Sequence, residues 1–371
     1  MIVLSDKQKS EGWRIVKFGD VAQEIKANTK KPLSEGISRY VGLEHLDPDS
    51  LRLSRYGLIE EDNPTFTKKF NVGDILFGRR RAYLKKAAVA EFIGICSGDI
   101  TVISNKGDFL LPGLLPFIVQ SGMFFNWAIK HSAGGLSPRT KFKLLAEFEF
   151  PLPPLSRQEA MLNVLNSVEN NIQILENLIR SLEKYEKKIL ARLFRSQHPV
   201  EERELKFKSM KLEQIVTLAY GKSPSEIKNN DGINPIYGTG GVVGHTFSKI
   251  SDGPSIIIGR KGTLDRPIYV EKNFWSIDTT YYCTDVHKDV DIKWLYYYFC
   301  AIDLKKYDES SGVPSLSRNT LYKISLKIPQ LEDQYLYISL IDKISSLLNS
   351  KNSHLKNLKS LRGRIIQEYL S

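Results

Sequence analysis

Two short apolar runs in this chain, DILFG at 74–78 and SIIIG at 255–259, end in glycine and continue into basic residues. The first gives Gly78-Arg79-Arg80-Arg81 and the second Gly259-Arg260-Lys261-Gly262. Glycine lets a backbone approach a surface closely, and an arginine fork can grip phosphate or read the edge of guanine. A second pair of loops, SPRTK at 137–141 and SLSRN at 315–319, supplies Ser, Thr, Arg and Asn, side chains suited to phosphate contacts. Taken singly, each loop reads equally well as a turn that caps a strand. Because both sets occur twice, the functional reading gains weight.

Charge points the same way. The formal net charge is +11, divided as +5 over residues 1–154 and +2 each over 155–200, 201–330 and 331–371. Residues 66–90 hold Lys68, Lys69, Arg79, Arg80, Arg81, Lys85 and Lys86 against Asp74 alone. Such a patch is either a solvated basic surface or the electrostatic footprint of phosphate binding.

Catalytic patterns are missing from the sequence. It has no GxxxxGK[ST] phosphate loop, no HExxH and no clustered Cys/His ligands. YGTGG at 237–241 lacks a strand–GxGxxG–helix context and reads as a turn. Glu24/Lys26 and Glu226/Lys228 have nuclease-like ExK spacing without an identifiable acidic partner, and the six histidines form no nucleophile–base constellation. Cys96, Cys283 and Cys300 suggest neither a disulfide framework nor a metal site. The expectation is a non-catalytic chain without cofactor or metal, in a reducing, cytoplasmic setting. The longest apolar stretch, LLPGLLPFIV at 110–119, is proline-broken and too short for a bilayer, and MIVLSDKQKS lacks a signal-peptide core.

The elements that must position these loops follow from length and repetition. A chain of 371 residues suits two or more domains, and its 42% hydrophobic and 26% charged composition is that of a globular protein. At an offset of 176 residues, Leu145 meets Leu321, Phe150 meets Leu326, Pro153 meets Pro329, Leu155 meets Leu331 and Gln158 meets Gln334. With altered spacing, VKFGDVAQE (16–24) resembles MKLEQIVTL (210–218). The order is a globular segment, a strand, proline and a long helix, then the same again: a tandem duplication.

Periodicity defines the helices. Leu165, Val168, Ile172, Leu175, Ile179, Leu182, Glu186, Ile189 and Leu193 alternate steps of three and four, as do Ile341, Ile344, Leu348, Lys351, Leu355, Leu358, Arg362, Ile365 and Tyr369. This is a coiled-coil seam. Helices of about 40 residues, roughly 60 Å each, are predicted. One antiparallel register sets Ile179 beside Leu358 and Ile189 beside Leu348, with Glu186 opposite Lys351 as a buried polar pair. A second stripe, Val164, Leu178 and Tyr185 with Leu340, Leu347 and Leu361, is expected either to pack on the chain's own domains or to receive a partner's helices.

The proline-led PLPPLSRQEAMLNVLNSVENNIQILENLIRSLEKYEKKIL strongly resembles the helical region of specificity subunits from type I restriction–modification systems. KIPQLEDQYLYISLIDKISSLLN is similar to their distal helix, although Pro329-Gln330 departs from the Pro153-Pro154 of the first copy. YVGLEHLDPDSLRLSRYG and GDILFGRRRAYLKKAAVAEF look like a first target recognition domain of that family. NPIYGTGGVVGHT and IIIGRKGTLDRPIYVE look like a second.

The resemblance implies an α/β fold of two target recognition domains separated by two long antiparallel coiled-coil helices. The expected segments are 1–154 for the first domain, 155–200 for the central helix, 201–330 for the second domain and 331–371 for the distal helix. Each domain is expected to read one half of a bipartite, asymmetric site in double-stranded DNA, with the helices setting the spacer. Implied partners are two modification subunits, which methylate adenine at N6, and ATP-dependent restriction subunits. Arg79, Arg80, Arg81, Lys85, Lys86 and Arg139 are placed at the first half-site. Arg260, Lys261, Arg266, Ser317, Arg318 and Tyr237 are placed at the second. Competing readings are the specificity unit of a type II system, a fused methyltransferase–nuclease and a protein-binding helical scaffold.

Overall fold

Proline at 153–154 and again at 329 ends an extended strand and fixes the dihedral from which a helix starts. In the computed structural model, which describes residues 3–194 and 207–370, those helices are Leu155–Phe194 and Leu331–Leu370, 40 residues each. They are called the central and distal helices below. Residues 195–200 of the expected central helix, and the side chain of Leu193, lie outside the described residues. The chain divides into two compact units, one of Met1–Glu176 with Ser353–Ser371, the other of Asn177–Asn352.

In the first unit, strand Arg14–Lys17 pairs antiparallel with Glu149–Leu152, setting Val16 against Phe150. A single helical turn, Phe18–Val21, follows, its start closed by the Lys17 amide donating to the Asp20 carboxylate at 3.0 Å. An antiparallel sheet then runs in the spatial order Ala22–Glu24, Ile100–Asn105, Ile75–Gly78, Ala87–Val89. A second four-stranded sheet runs Gly57–Leu58, Arg39–Val41, Gly94–Cys96, Lys68–Phe70. Phe18, Phe77, Phe124 and Phe125 centre the main core. Met161 and Leu165 of the central helix and Ile366 and Leu370 of the distal helix complete it.

The second unit repeats this plan with different residues. Lys208–Lys211 pairs antiparallel with Ser325–Ile328, and a turn, Leu212–Ile215, opens with the Lys211 amide donating to the Gln214 side chain at 2.9 Å. The sheet order Thr217–Tyr220, Thr280–Thr284, Ser255–Gly259, Ile268–Val270 matches that of the first unit strand for strand. A smaller sheet runs Gly241–Thr246, Asn234–Gly238, Trp275–Ser276. YGTGG is the tip of its hairpin, with Gly238 paired to Gly241.

One pair of glutamines shows the duplication atom by atom. Gln158 Nε2 donates to the carbonyls of Phe109 (2.8 Å) and Pro153 (2.9 Å), while its Oε1 accepts the Leu111 amide at 2.9 Å. Gln334 does the same with Asp289 (2.8 Å), Pro329 (2.9 Å) and the Asp291 amide (2.7 Å). Both are fully buried and anchor the first turn of a long helix to its own domain.

The seam is as periodicity predicts at Leu165, Ile172, Leu175, Ile179, Ile341, Ile344 and Leu348, all buried. Within each unit the helices run antiparallel: Glu169 pairs with Arg362 and Glu176 with Lys359 in the first, and Glu186 meets Ser345 in the second. The register differs from the expected one. Glu186 accepts from the Ser345 hydroxyl at 2.8 Å instead of facing Lys351, six residues further on, a displacement of about one and a half to two turns. Burial of Arg362 accounts for the shift, because its guanidinium requires a buried carboxylate and Glu169 supplies it. Of the two alternatives for the second stripe, packing on the chain's own domains is not met: Val164, Leu178, Tyr185, Leu340, Leu347 and Leu361 are all exposed. Among the described residues, no helix is long and apolar enough to cross a membrane.

Candidate nucleic-acid interface

Strand Ile75–Gly78 is buried throughout, and so is Ser255–Gly259, so each basic segment begins where a core strand emerges from the fold. Beyond Gly78 the backbone is held by three bonds. The Arg79 amide donates to the Asp99 carbonyl (2.9 Å), the Thr140 amide to the Arg79 carbonyl (3.0 Å), and the Arg81 amide to the Pro138 carbonyl (2.8 Å). Beyond Gly259 the same three recur. Arg260 donates to Thr279 (2.9 Å), Leu316 to Arg260 (2.9 Å), and Gly262 to Pro314 (2.8 Å). The two kinds of loop singled out in the sequence are therefore zipped together in each unit, Arg80 bridging to Arg139 and Lys261 to Ser315.

This alignment sets Arg81 in the place of Gly262. Both have left-handed backbone, φ 54° and 90°. Glycine adopts that conformation freely, whereas arginine there is strained, a state usually kept only where the surrounding structure imposes it. Lys85, four residues on, is also left-handed, at φ 49°.

In the first unit the side chains converge on a carboxylate. Arg139 Nε lies 2.7 Å from Asp99 Oδ1 and its Nη2 3.2 Å from Oδ2. Arg80 reaches the same Oδ2 at 3.5 Å and donates through Nη2 to Ser137 Oγ at 3.1 Å. The hydrogen bond from Arg139 holds the Asp99 carboxyl below the usual carboxylate range, and the Arg80 charge adds to this. Arg79 and Arg81 are half-buried beside them. The Nε atoms of Arg79, Arg80 and Arg81 are buried without a hydrogen-bond partner. Lys86 is engaged elsewhere, its Nζ donating to the Leu43 carbonyl at 2.7 Å.

In the second unit the arginines converge on an aromatic ring instead of a carboxylate. The guanidinium carbons of Arg260 and Arg318 lie 5.1 and 5.0 Å from the centre of the Tyr220 ring, within cation–π range. Arg260 also donates to the Asp278 carbonyl (3.2 Å) and Arg318 to that of Leu218 (3.4 Å). Lys261 and Arg266 are exposed. Ser317 starts the turn Arg318–Tyr322 without a side-chain capping bond. Tyr237 lies in the small sheet with its ring against Phe274, and burial pushes its hydroxyl above the ordinary tyrosine range. No hydrogen bond or ring contact among the described residues joins it to Arg260 or Arg318.

Two residues of these clusters, Asp99 and Tyr220, escape sequence reasoning because neither is basic and neither lies in a repeated loop. Their one sequence signal is position. Asp99 immediately precedes strand Ile100–Asn105, and Tyr220 ends strand Thr217–Tyr220, both in the sheet that carries the basic segment.

The model of the type I restriction modification DNA specificity domain matches residues 10–184 and again 204–359, one match for each copy of the repeat. The chain belongs to this family. It is 28% identical over 195 residues to the specificity subunit of the Escherichia coli type I restriction enzyme EcoDI, covering 50% of this chain and 42% of that one. It is 27% identical over 154 residues to the EcoprrI specificity subunit of the same organism, covering 40% and 38%. The matched stretches thus span under half the length of those relatives. The type I system S subunit from M. genitalium superposes with a TM-score of 0.65 at 16% identity, covering 100% of this chain and 98% of that one. A chain from a structure of type I system assembly and conformational transition gives 0.58 at 18% identity, covering 96% and 97%. At these identities the superpositions establish the shared fold, and the specificity-domain match establishes the family.

Proposed function

We propose that this specificity-family chain is the DNA-reading subunit of a type I restriction–modification complex. Each globular domain reads one half of a bipartite, asymmetric duplex site, and the coiled coil sets the spacer between the halves. Residues 1–154 and 201–330 are the reading domains; 155–200 and 331–371 carry the spacer helices. Two modification subunits methylate adenine within the half-sites, and restriction subunits add ATP-driven cleavage, in the cytoplasm. The chain itself supplies specificity and no catalytic group.

One observation carries this reading. The same zipped pair of basic and polar loops occurs once in each copy of the repeat, on backbone bonds that correspond one for one, yet with different side chains: Asp99, Arg80 and Arg139 in one, Tyr220, Arg260 and Arg318 in the other. Equivalent backbones with divergent side chains suit a pair of readers aimed at two unlike half-sites. Bidentate arginine contacts with guanine, and contacts to backbone phosphate from neighbouring Ser, Lys and Arg, are the chemistry such loops offer. Half-sites one turn apart lie roughly 34 Å from each other, a span that helices of about 60 Å can bridge.

Single-molecule methylome sequencing of the host with and without this gene tests the proposal. Loss of N6-methyladenine at one gapped, two-part motif is expected. An unchanged methylome with the modification subunit expressed contradicts it.

A further inference from the structure

We propose that Asp99 is a positioning residue of the first reading loop, aiming Arg139 at the bases; this rests on the DNA-reading function proposed above. A guanidinium has a side-on edge, Nε with one Nη, and an end-on edge made by the two Nη groups. Asp99 takes the side-on edge of Arg139 in a bidentate grip at 2.7 and 3.2 Å. Nη1, whose other contact is a marginal 3.5 Å approach to the Ser137 carbonyl, is left with Nη2 as an end-on pair. That pair matches the O6 and N7 acceptors of guanine. The Arg139 side chain is 44% exposed while Asp99 is only 21% exposed, so the carboxylate lies behind the guanidinium it holds.

The carboxylate is not there to stabilise the loop backbone. That backbone is closed by the Arg79, Arg81 and Thr140 bonds, and in the second unit Thr279 occupies the Asp99 position while all three equivalent bonds are kept. Nor does a carboxylate favour phosphate binding. It offsets two cations that would otherwise bind any duplex. Asp99 therefore trades general affinity for orientation.

This trade gives a signature of opposite signs. In Asp99→Asn, discrimination at one position of the first half-site falls about tenfold or more, because the fork is no longer fixed. Affinity for an unrelated duplex rises, and the dependence of log affinity on log salt steepens by about one, because a competing charge has gone. Asp99→Glu keeps the charge but displaces it, so it relaxes the same position with the salt slope unchanged.

The test combines methylomes of strains carrying each allele with salt titrations of the full-length chain on a motif duplex and on a scrambled duplex. The inference is overturned if D99N leaves the motif and the slope unchanged. It is equally overturned if both variants lower methylation at the two half-sites together with the melting temperature, the mark of a purely structural residue. Arg139→Ala separates the levels. If it also leaves the motif intact, the loop is not the reader and the proposed function fails at that site. If R139A relaxes one position and neither Asp99 variant does, only the role of Asp99 fails.

Discussion

Arg362, on the distal helix, lies 2.6 Å from Glu169 on the central helix, and its second terminal nitrogen donates to the backbone carbonyl of Asp49 at 2.9 Å. Its side chain is 6% exposed and that of Glu169 is 12% exposed. The distal helix is thus tied to the central helix by a buried ion pair and to the N-terminal domain by the Asp49 bond, with Ile366 and Leu370 in the core beside it. Breaking such a pair strands a buried charge, so Arg362→Ala should destabilise the first unit by about 3 kcal/mol. The apolar double variant Glu169→Leu/Arg362→Met should cost less than either single change. Denaturant unfolding of Arg362→Ala, of the double variant and of its two single components checks both statements.

Gln158 and Gln334 each satisfy two carbonyls and one amide from a buried position. Removing either leaves those groups without partners, at about 2 kcal/mol or more. Gln158→Ala and Gln334→Ala should therefore show similar losses in thermal unfolding, whereas an exposed change such as Gln23→Ala should be near neutral.

Tyr220 contributes its ring. Tyr220→Phe should leave affinity for the second half-site close to wild type. Tyr220→Ala, which removes the platform from both Arg260 and Arg318, should weaken it several-fold at about 0.5–1 kcal/mol per contact. Titrations with duplexes altered in one half-site at a time make the comparison, and the first half-site should be insensitive to both changes.

Cys96 and Cys283 are buried, and burial pushes each thiol up to about 12, against about 8.5 for a free thiol. A thiol reagent at pH 8 should leave both unmodified until the protein unfolds. Because the folded value lies above the unfolded one, the stability that these groups contribute is intact below about pH 8.5 and is lost as pH rises beyond it. Denaturant midpoints measured between pH 7 and 10 should fall at the alkaline end, and less so in Cys96→Ala or Cys283→Ala backgrounds.

Much of this architecture is legible in the sequence because it is written in periodic terms. The three-four alternation from Leu165 onward and the match of Pro153 with Pro329 are local or repeated signals, and the long helices follow from them. Pairing of the GRRR segment with SPRTK is stated by neither segment alone, although each is conspicuous because it recurs. Register is not legible from apolar alignment, because the needs of a single buried cation, Arg362, override it. Asp99 and Tyr220 were invisible for a different reason. Each acts through side-chain contacts with residues far away in sequence, 40 residues in the case of Asp99 and Arg139, and no local pattern records such a contact.

If the two equivalent loops read two different half-sites, they are separable by mutation. Methylomes of strains carrying Arg139→Ala and Arg318→Ala separately test this most directly. Each variant is expected to relax the motif in one half only, and the two halves should differ. Relaxation in the same half, or a uniform drop in methylation with both halves of the motif intact, would contradict it.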